Sequence, residues 1–230
     1  MNIYFLVEGE TERKIYKAWL QYLIPELQQV KFSDRVERNN YFLVSGEGYP
    51  AILSEGIPNA IERIQESQKY QYLVICTDAD EDTVEEREQQ VNEFIRDNIQ
   101  LPDGIETVTI VQNRCIETWF LGNRKMFDSR QCPEGDLAKY VRYYDVSRDD
   151  PELMGRFDRA NHAEFHEAYL KEIFQAKKQT YSKKLPGVTQ EKYYLDQLIQ
   201  RSSDPFSHLK TFKKFIDFCA RVRQFVTQQP

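Results

Sequence analysis

Short apolar runs alternate with amphipathic stretches through the first half of the chain. Residues 2–7 (NIYFLV), 41–44 (YFLV), 73–76 (LVIC) and 105–111 (IETVTIV) carry the strand pattern. The third run is followed at once by Asp78, Asp80 and Asp82. An apolar run without polar alternation suits a strand buried on both faces of a parallel sheet. Between the runs, Ile15, Trp19, Tyr22 and Leu23 fall at helical spacing, as do Ile52, Leu53, Ile57, Ile61 and Ile64, with Gly56 and Pro58 expected to break that helix. Residues 83–98 read as a helix whose early Glu85 and Glu86 complement its dipole, and 116–120 open another. Strand–helix alternation with short connections implies right-handed crossovers and a parallel sheet of about four strands flanked by helices.

From about Asp128 the strand pattern stops, and residues 162–178, 189–201 and 206–226 read as helices. The expectation is an α/β domain over 1–127 and an α-helical C-terminal extension over 128–230 packed on it. The last helix has Leu209, Phe212, Phe215, Ile216, Cys219, Val222 and Val226 on one face, and Lys210, Lys213, Lys214 and Arg221 on the other.

A length of 230 residues is enough for one sizeable core or a domain with an appendage. No apolar run is long enough to span a bilayer, and MNIYFLVEGE lacks the basic and apolar regions of a signal peptide. The four cysteines (Cys76, Cys115, Cys132, Cys219) form no C-x-x-C pair, so reduced thiols and a cytoplasmic location are expected. Charge is asymmetric: residues 1–120 hold 11 Lys and Arg against 22 Asp and Glu, whereas 121–230 hold 20 against 15. A basic tail segment after an acidic half favours a polyanionic partner, though a charged helix face is often merely solvated.

In open α/β sheets ligands collect at the carboxyl ends of the strands, where Glu8, Asp78, Asp80 and Asp82 are expected to emerge. Crowded carboxylates repel one another unless a cation neutralises them, and hard divalent cations prefer oxygen. The expectation is a magnesium or manganese site. An acidic loop before a helix can also be only a cap and dipole arrangement, but Glu8 on a neighbouring strand end favours the metal. A calcium-binding EF-hand loop fails because Thr83 and Gln89 stand where glycine and glutamate are required. The dehalogenase-type frame at Asp80–Val84 begins two residues too late. A nucleotide-sugar transferase using Asp78 and Asp80 is the strongest enzymatic rival, although it gives no reason for Glu8-Gly9. No Walker A loop is present.

The order LVEGETE, VICTDADED, RCIETWFL resembles the TOPRIM domain, especially the OLD-like and small standalone TOPRIM nucleases of prokaryotes. The resemblance covers roughly residues 2–122. It implies a metal-dependent nuclease cleaving DNA or RNA, with Glu8, Asp78 and Asp80 on one or two magnesium ions. Glu12 and Asp82 extend the acidic set, Glu117 is an accessory acid, and Arg114 a phosphate contact. Glu117 and Arg114 have bland alternatives, a helix-start dipole partner and a surface charge. The resemblance also makes phage defence beside a separately encoded ATPase plausible, and a homo-oligomer is compatible with all of this. A catalytically inactive TOPRIM interaction module is the non-enzymatic alternative. Nucleic acid is expected to be held by Lys210, Lys213, Lys214 and Arg221, supported by Arg201 and Lys183-Lys184. His162 and His166, at i and i+4, have metal-sharing spacing but no third ligand.

Overall fold

Hydrophobic side chains of both pleat faces fix the centre of the sheet. In the computed structural model, which describes residues 1–126 and 133–228, β1 (Asn2–Val7) and β4 (Tyr72–Asp78) lie side by side. Ile3, Phe5 and Val7 of β1, with Val74 and Cys76 of β4, enter one buried cluster, while Tyr4, Leu6, Leu73 and Ile75 enter the other. Two-sided burial explains why neither strand alternates apolar and polar residues.

The sheet has five parallel strands in the order β2-β3-β1-β4-β5, with β2 Gln28–Gln29, β3 Asn40–Ser45 and β5 Glu106–Gln112. The expected count of about four is therefore one short. Strand β2 is two exposed glutamines with no apolar signature, and backbone bonds such as Gln28 N–H to the Asn39 carbonyl (2.9 Å) define it.

On one face lie a single turn of π-helix at Ile52–Gly56, α2 (Ile57–Ser67) and α3 (Val84–Asn98). The break expected at Gly56 and Pro58 is only this change of helical pitch, because proline at a helix start has no needed N–H to lose. Helix α3 begins in a capping box in which Thr83 accepts from the Glu86 amide and Glu86 accepts from the Thr83 amide.

The other face carries α1 (Glu10–Leu23) and the C-terminal helices. These are α4 (Ile116–Phe120), α5 (Gly135–Tyr143), α6 (His162–Ala176), α7 (Lys192–Ser202) and α8 (Lys210–Gln228). Aromatic side chains join extension to sheet: Phe218 meets Phe5 and Tyr72, Phe215 meets Tyr16, and Phe212 meets Trp19 and Trp119 at centroid distances of 4.8–6.4 Å. One continuous buried cluster thus spans both halves of the chain. The expected boundary at 127/128 and Cys132 lie outside the described residues. Cys76, Cys115 and Cys219 are buried free thiols. Among the described residues no helix is long and apolar enough to cross a membrane.

Candidate metal centre

The carboxyl ends of β1, β4 and β5 gather the acidic residues. Glu8 follows β1 directly, and its Oε2 accepts from the Thr77 hydroxyl (2.5 Å) and the Asp78 amide (2.8 Å), which pins it to the neighbouring strand. Glu12 lies in the first turn of α1, close enough to Glu8 and Glu117 for their charges to act on it. Gly9, between Glu8 and α1, has extended backbone that any residue could adopt, so conformational freedom is not what this glycine supplies. Space is: a Cβ at Gly9 would stand 2.6 Å from Glu12 Oε2. Glu117, 1% exposed, arrives on α4 after β5, and its Oε1 accepts from the Tyr181 hydroxyl at 2.7 Å.

Electrostatics binds these groups into one site. Burial, reinforced by the charges of Glu8, Glu12, Glu117 and Asp80, pushes the Asp78 carboxyl well above the usual carboxylate range. Burial, with Glu117 and Glu8 adding to it, pushes Glu12 up to about 7. Asp78 Oδ1 and Glu117 Oε2 are buried without any hydrogen-bond partner. Buried carboxylate oxygens without donors are costly, and an all-oxygen donor set is the one hard divalent cations take. The residues therefore fit magnesium or manganese in chemistry. Among the described residues no three His, Cys, Asp or Glu side chains already stand in ligand geometry, and Glu8 Oε2 is engaged by Thr77.

Asp80 and Asp82 are held differently. The buried Arg87 guanidinium reaches Asp80 at 3.5 Å and Asp82 at 3.1 Å and lies 3.5 Å over the Tyr49 ring. Asp80 has a left-handed backbone, φ 52°, so this loop turns its second aspartate towards α3. Asp80 still contributes to the field on Asp78, so it sits at the rim of the cluster, with Asp82 beyond it.

Arg114 braces the same loop. Its Nη1 donates to the Asp80 and Asp82 carbonyls at 3.1 and 2.9 Å, and its own carbonyl accepts from the Asp80 amide. His162 and His166 share no ligand position. His162 Nδ1 meets Glu81 at 2.9 Å, while His166 is buried with Nδ1 2.7 Å from the Thr118 hydroxyl. Burial lowers the His166 pKa to about 4.

Two groups of the α6–α7 connection complete the site: Tyr181, on Glu117, and Lys183. The Lys183 ammonium is held in its charged form first by Glu117, with Asp78 and Glu167 contributing, above the ordinary lysine range. Its backbone is fixed where the Thr11 hydroxyl donates to the Lys183 carbonyl (3.0 Å) and Lys14 Nζ to that of Lys184 (2.7 Å). The remaining basic side chains are spread along α8. Lys213 pairs with Asp217, Lys214 with Glu88, and Arg221 acts on Tyr72 at the opposite, amino edge of the sheet. Of the four α8 cations expected to hold nucleic acid, Lys210 is the one that lines a cleft at the carboxyl edge with Arg114. Arg201, grouped with the surface cations by sequence, is instead 2% exposed.

The raised Glu12 pKa makes a pH prediction. The folded chain keeps this proton to higher pH than the unfolded chain, so its stabilising contribution is complete below about 4.5 and disappears as pH rises through 7. His166 acts in the opposite sense, losing stability as pH falls from 6.5 towards 4. Comparison with Glu12→Gln isolates the acid: between pH 5 and 8, metal-free wild type should lose roughly 3 kcal/mol relative to the variant in urea denaturation. Manganese affinity should rise over the same interval, because the ligand must shed its proton.

No protein-family model, curated protein or solved structure matches the chain.

Proposed function

We propose that the chain is a metal-dependent nuclease that hydrolyses phosphodiesters of DNA or RNA, in the manner of the TOPRIM proteins its motifs resemble. The observation that carries this reading is the pair of buried, unpartnered oxygens, Asp78 Oδ1 and Glu117 Oε2, in one cluster with Glu8 and Glu12. Glu8, Glu12, Asp78 and Glu117 would hold magnesium or manganese, with Asp80 at the rim. When bound, such an ion supplies Lewis-acid stabilisation and lowers the pKa of a coordinated water.

The protein's own groups do the positioning. Thr77 and the Asp78 amide orient Glu8, and Tyr181 orients Glu117. Arg87 draws Asp82 aside and offsets Asp80, limiting charge where a phosphate must approach. Lys183 brings fixed positive charge to the same edge, suited to a pentavalent phosphorane-like charge distribution. A separately encoded ATPase enters the proposal as a partner through the resemblance alone.

The test is cleavage of single- and double-stranded DNA and RNA in manganese, run beside metal-linked binding of uridine and guanosine diphosphate sugars. Nicking or degradation that Glu117→Gln abolishes is the expected result. Tight nucleotide-sugar binding with every nucleic acid left intact would replace the nuclease by the transferase.

A further inference from the structure

We propose that a cleft beside the carboxylate cluster seats the nucleotide flanking the scissile phosphate, and that the substrate enters it as a single strand. The proposal rests on the nuclease reading and names its substrate class. The cleft, of about 840 Å³, opens between the start of α3, the β5–α4 turn and the start of α8. Its size falls within the range of small-molecule sites, enough for a nucleoside or two and too small to admit a duplex.

Two large apolar side chains stand in the open at this cleft, Phe206 at 76% exposure and Leu153 at 77%. The Phe206 ring lies 6.1 Å from the His208 ring at 42°, leaving an aromatic face free. An exposed aromatic with cationic side chains beside it is the arrangement on which single-strand binders stack bases, since every base has a π-face. Lys210 supplies the charge. Among the described residues it has no carboxylate partner, whereas Lys213 and Lys214 are both paired.

Of the four acids lining the cleft, two are withdrawn from it. Asp150 and Glu152 are each 8% exposed and turn into the cap of α8. Asp150 Oδ1 accepts from the Leu209 amide at 3.1 Å, and Glu152 accepts from the Thr211 amide and hydroxyl. Burial also pushes Glu152 up to about 7. Glu85 and Asp149 remain exposed on the rim, set against the charges of Lys210 and Arg114. Arg114 joins cleft to metal centre: it lines the cleft while its Nη1 grips the Asp80 and Asp82 carbonyls. A strand with one phosphate at Asp78 and Glu117 can therefore lay its next base against Phe206.

The test is fluorescence anisotropy of a labelled ten-nucleotide strand with the full chain in calcium, strand integrity being checked afterwards. Phe206→Ala should weaken binding roughly 5- to 100-fold and Phe206→Trp should retain it. Lys210→Ala should reduce the salt slope by about 0.7. The duplex of the same sequence should bind less tightly than the strand. Phe206 is exposed, so thermal melts of the three variants should match wild type. Unchanged affinity in Phe206→Ala, absence of strand binding by wild type, or equal or tighter duplex binding overturns the cleft assignment. Manganese-dependent cleavage, with its Glu117→Gln control, is read separately. Cleavage with no Phe206 effect removes the cleft and leaves the nuclease. A Phe206-dependent affinity without cleavage keeps the strand site and removes the nuclease.

Discussion

Asp78→Asn should abolish manganese-dependent cleavage, by roughly a thousandfold or more, while raising the melting temperature of the metal-free protein. The two effects have one cause. Asp78 ends β4 with a buried, unpartnered oxygen, surrounded by Glu8, Glu12, Glu117 and Asp80. Without metal, the amide spares the folded chain the cost of either crowding this carboxyl in charged form or protonating it, and provides an N–H where a carboxylate can accept it. A gain of about 1 kcal/mol would raise the melting temperature by roughly 2–4 °C in a chain of this length. With manganese the order should invert, because an ion that binds only the folded wild type stabilises it by mass action. Equal thermal shifts of wild type and variant on adding manganese, or surviving cleavage, would remove Asp78 from the metal centre.

The central strands and the first three acidic residues were legible because they depend on local pattern. Two-sided burial leaves an unbroken apolar run, and parallel strands deliver their carboxyl ends to one edge. Glu12 was named only as a nearby acid, since Glu8 precedes the helix and the extended Gly9 between them hides which side of α1 faces the cluster. Tyr181 was not readable as a site residue, and Lys183 was read only as a supporting cation for nucleic acid, not as a neighbour of the acids. They stand in an irregular segment that meets the acids only through contacts such as Tyr181 to Glu117, 64 residues apart. The pairing of Arg87 with Asp80 and Asp82 was hidden for another reason. It depends on Asp80 adopting φ 52°, which no periodicity announces. On α8 the sequence showed the basic face but not its direction. The helix starts near Asn113 and ends near Glu26, so successive turns carry its cations away from the carboxyl edge. The i, i+4 pairing of Lys213 with Asp217 could have been read from spacing alone.

Arg201→Met should destabilise the fold by roughly 3–5 kcal/mol without specifically weakening nucleic-acid binding. The guanidinium is a buried fastener. Its Nη1 donates to the Gly122 and Val146 carbonyls at 3.1 and 2.7 Å, and its Nη2 to the Asp149 carbonyl at 2.5 Å. These carbonyls belong to the turn after α4 and the segment after α5, so one side chain on α7 ties both of those stretches to its own helix. Burial is the main reason its pKa falls to about 10, and carbonyl acceptors make up for much of the lost hydration. Methionine would fill the stem's volume but leave those carbonyls without donors. Lysine, with three donors but no planar fork, should recover part of the loss. Urea denaturation of the three proteins measures the ordering, with the midpoint falling most for Met. A change below 1 kcal/mol, accompanied by a flatter salt dependence of strand binding, would return Arg201 to the surface cations with which its sequence neighbours group it.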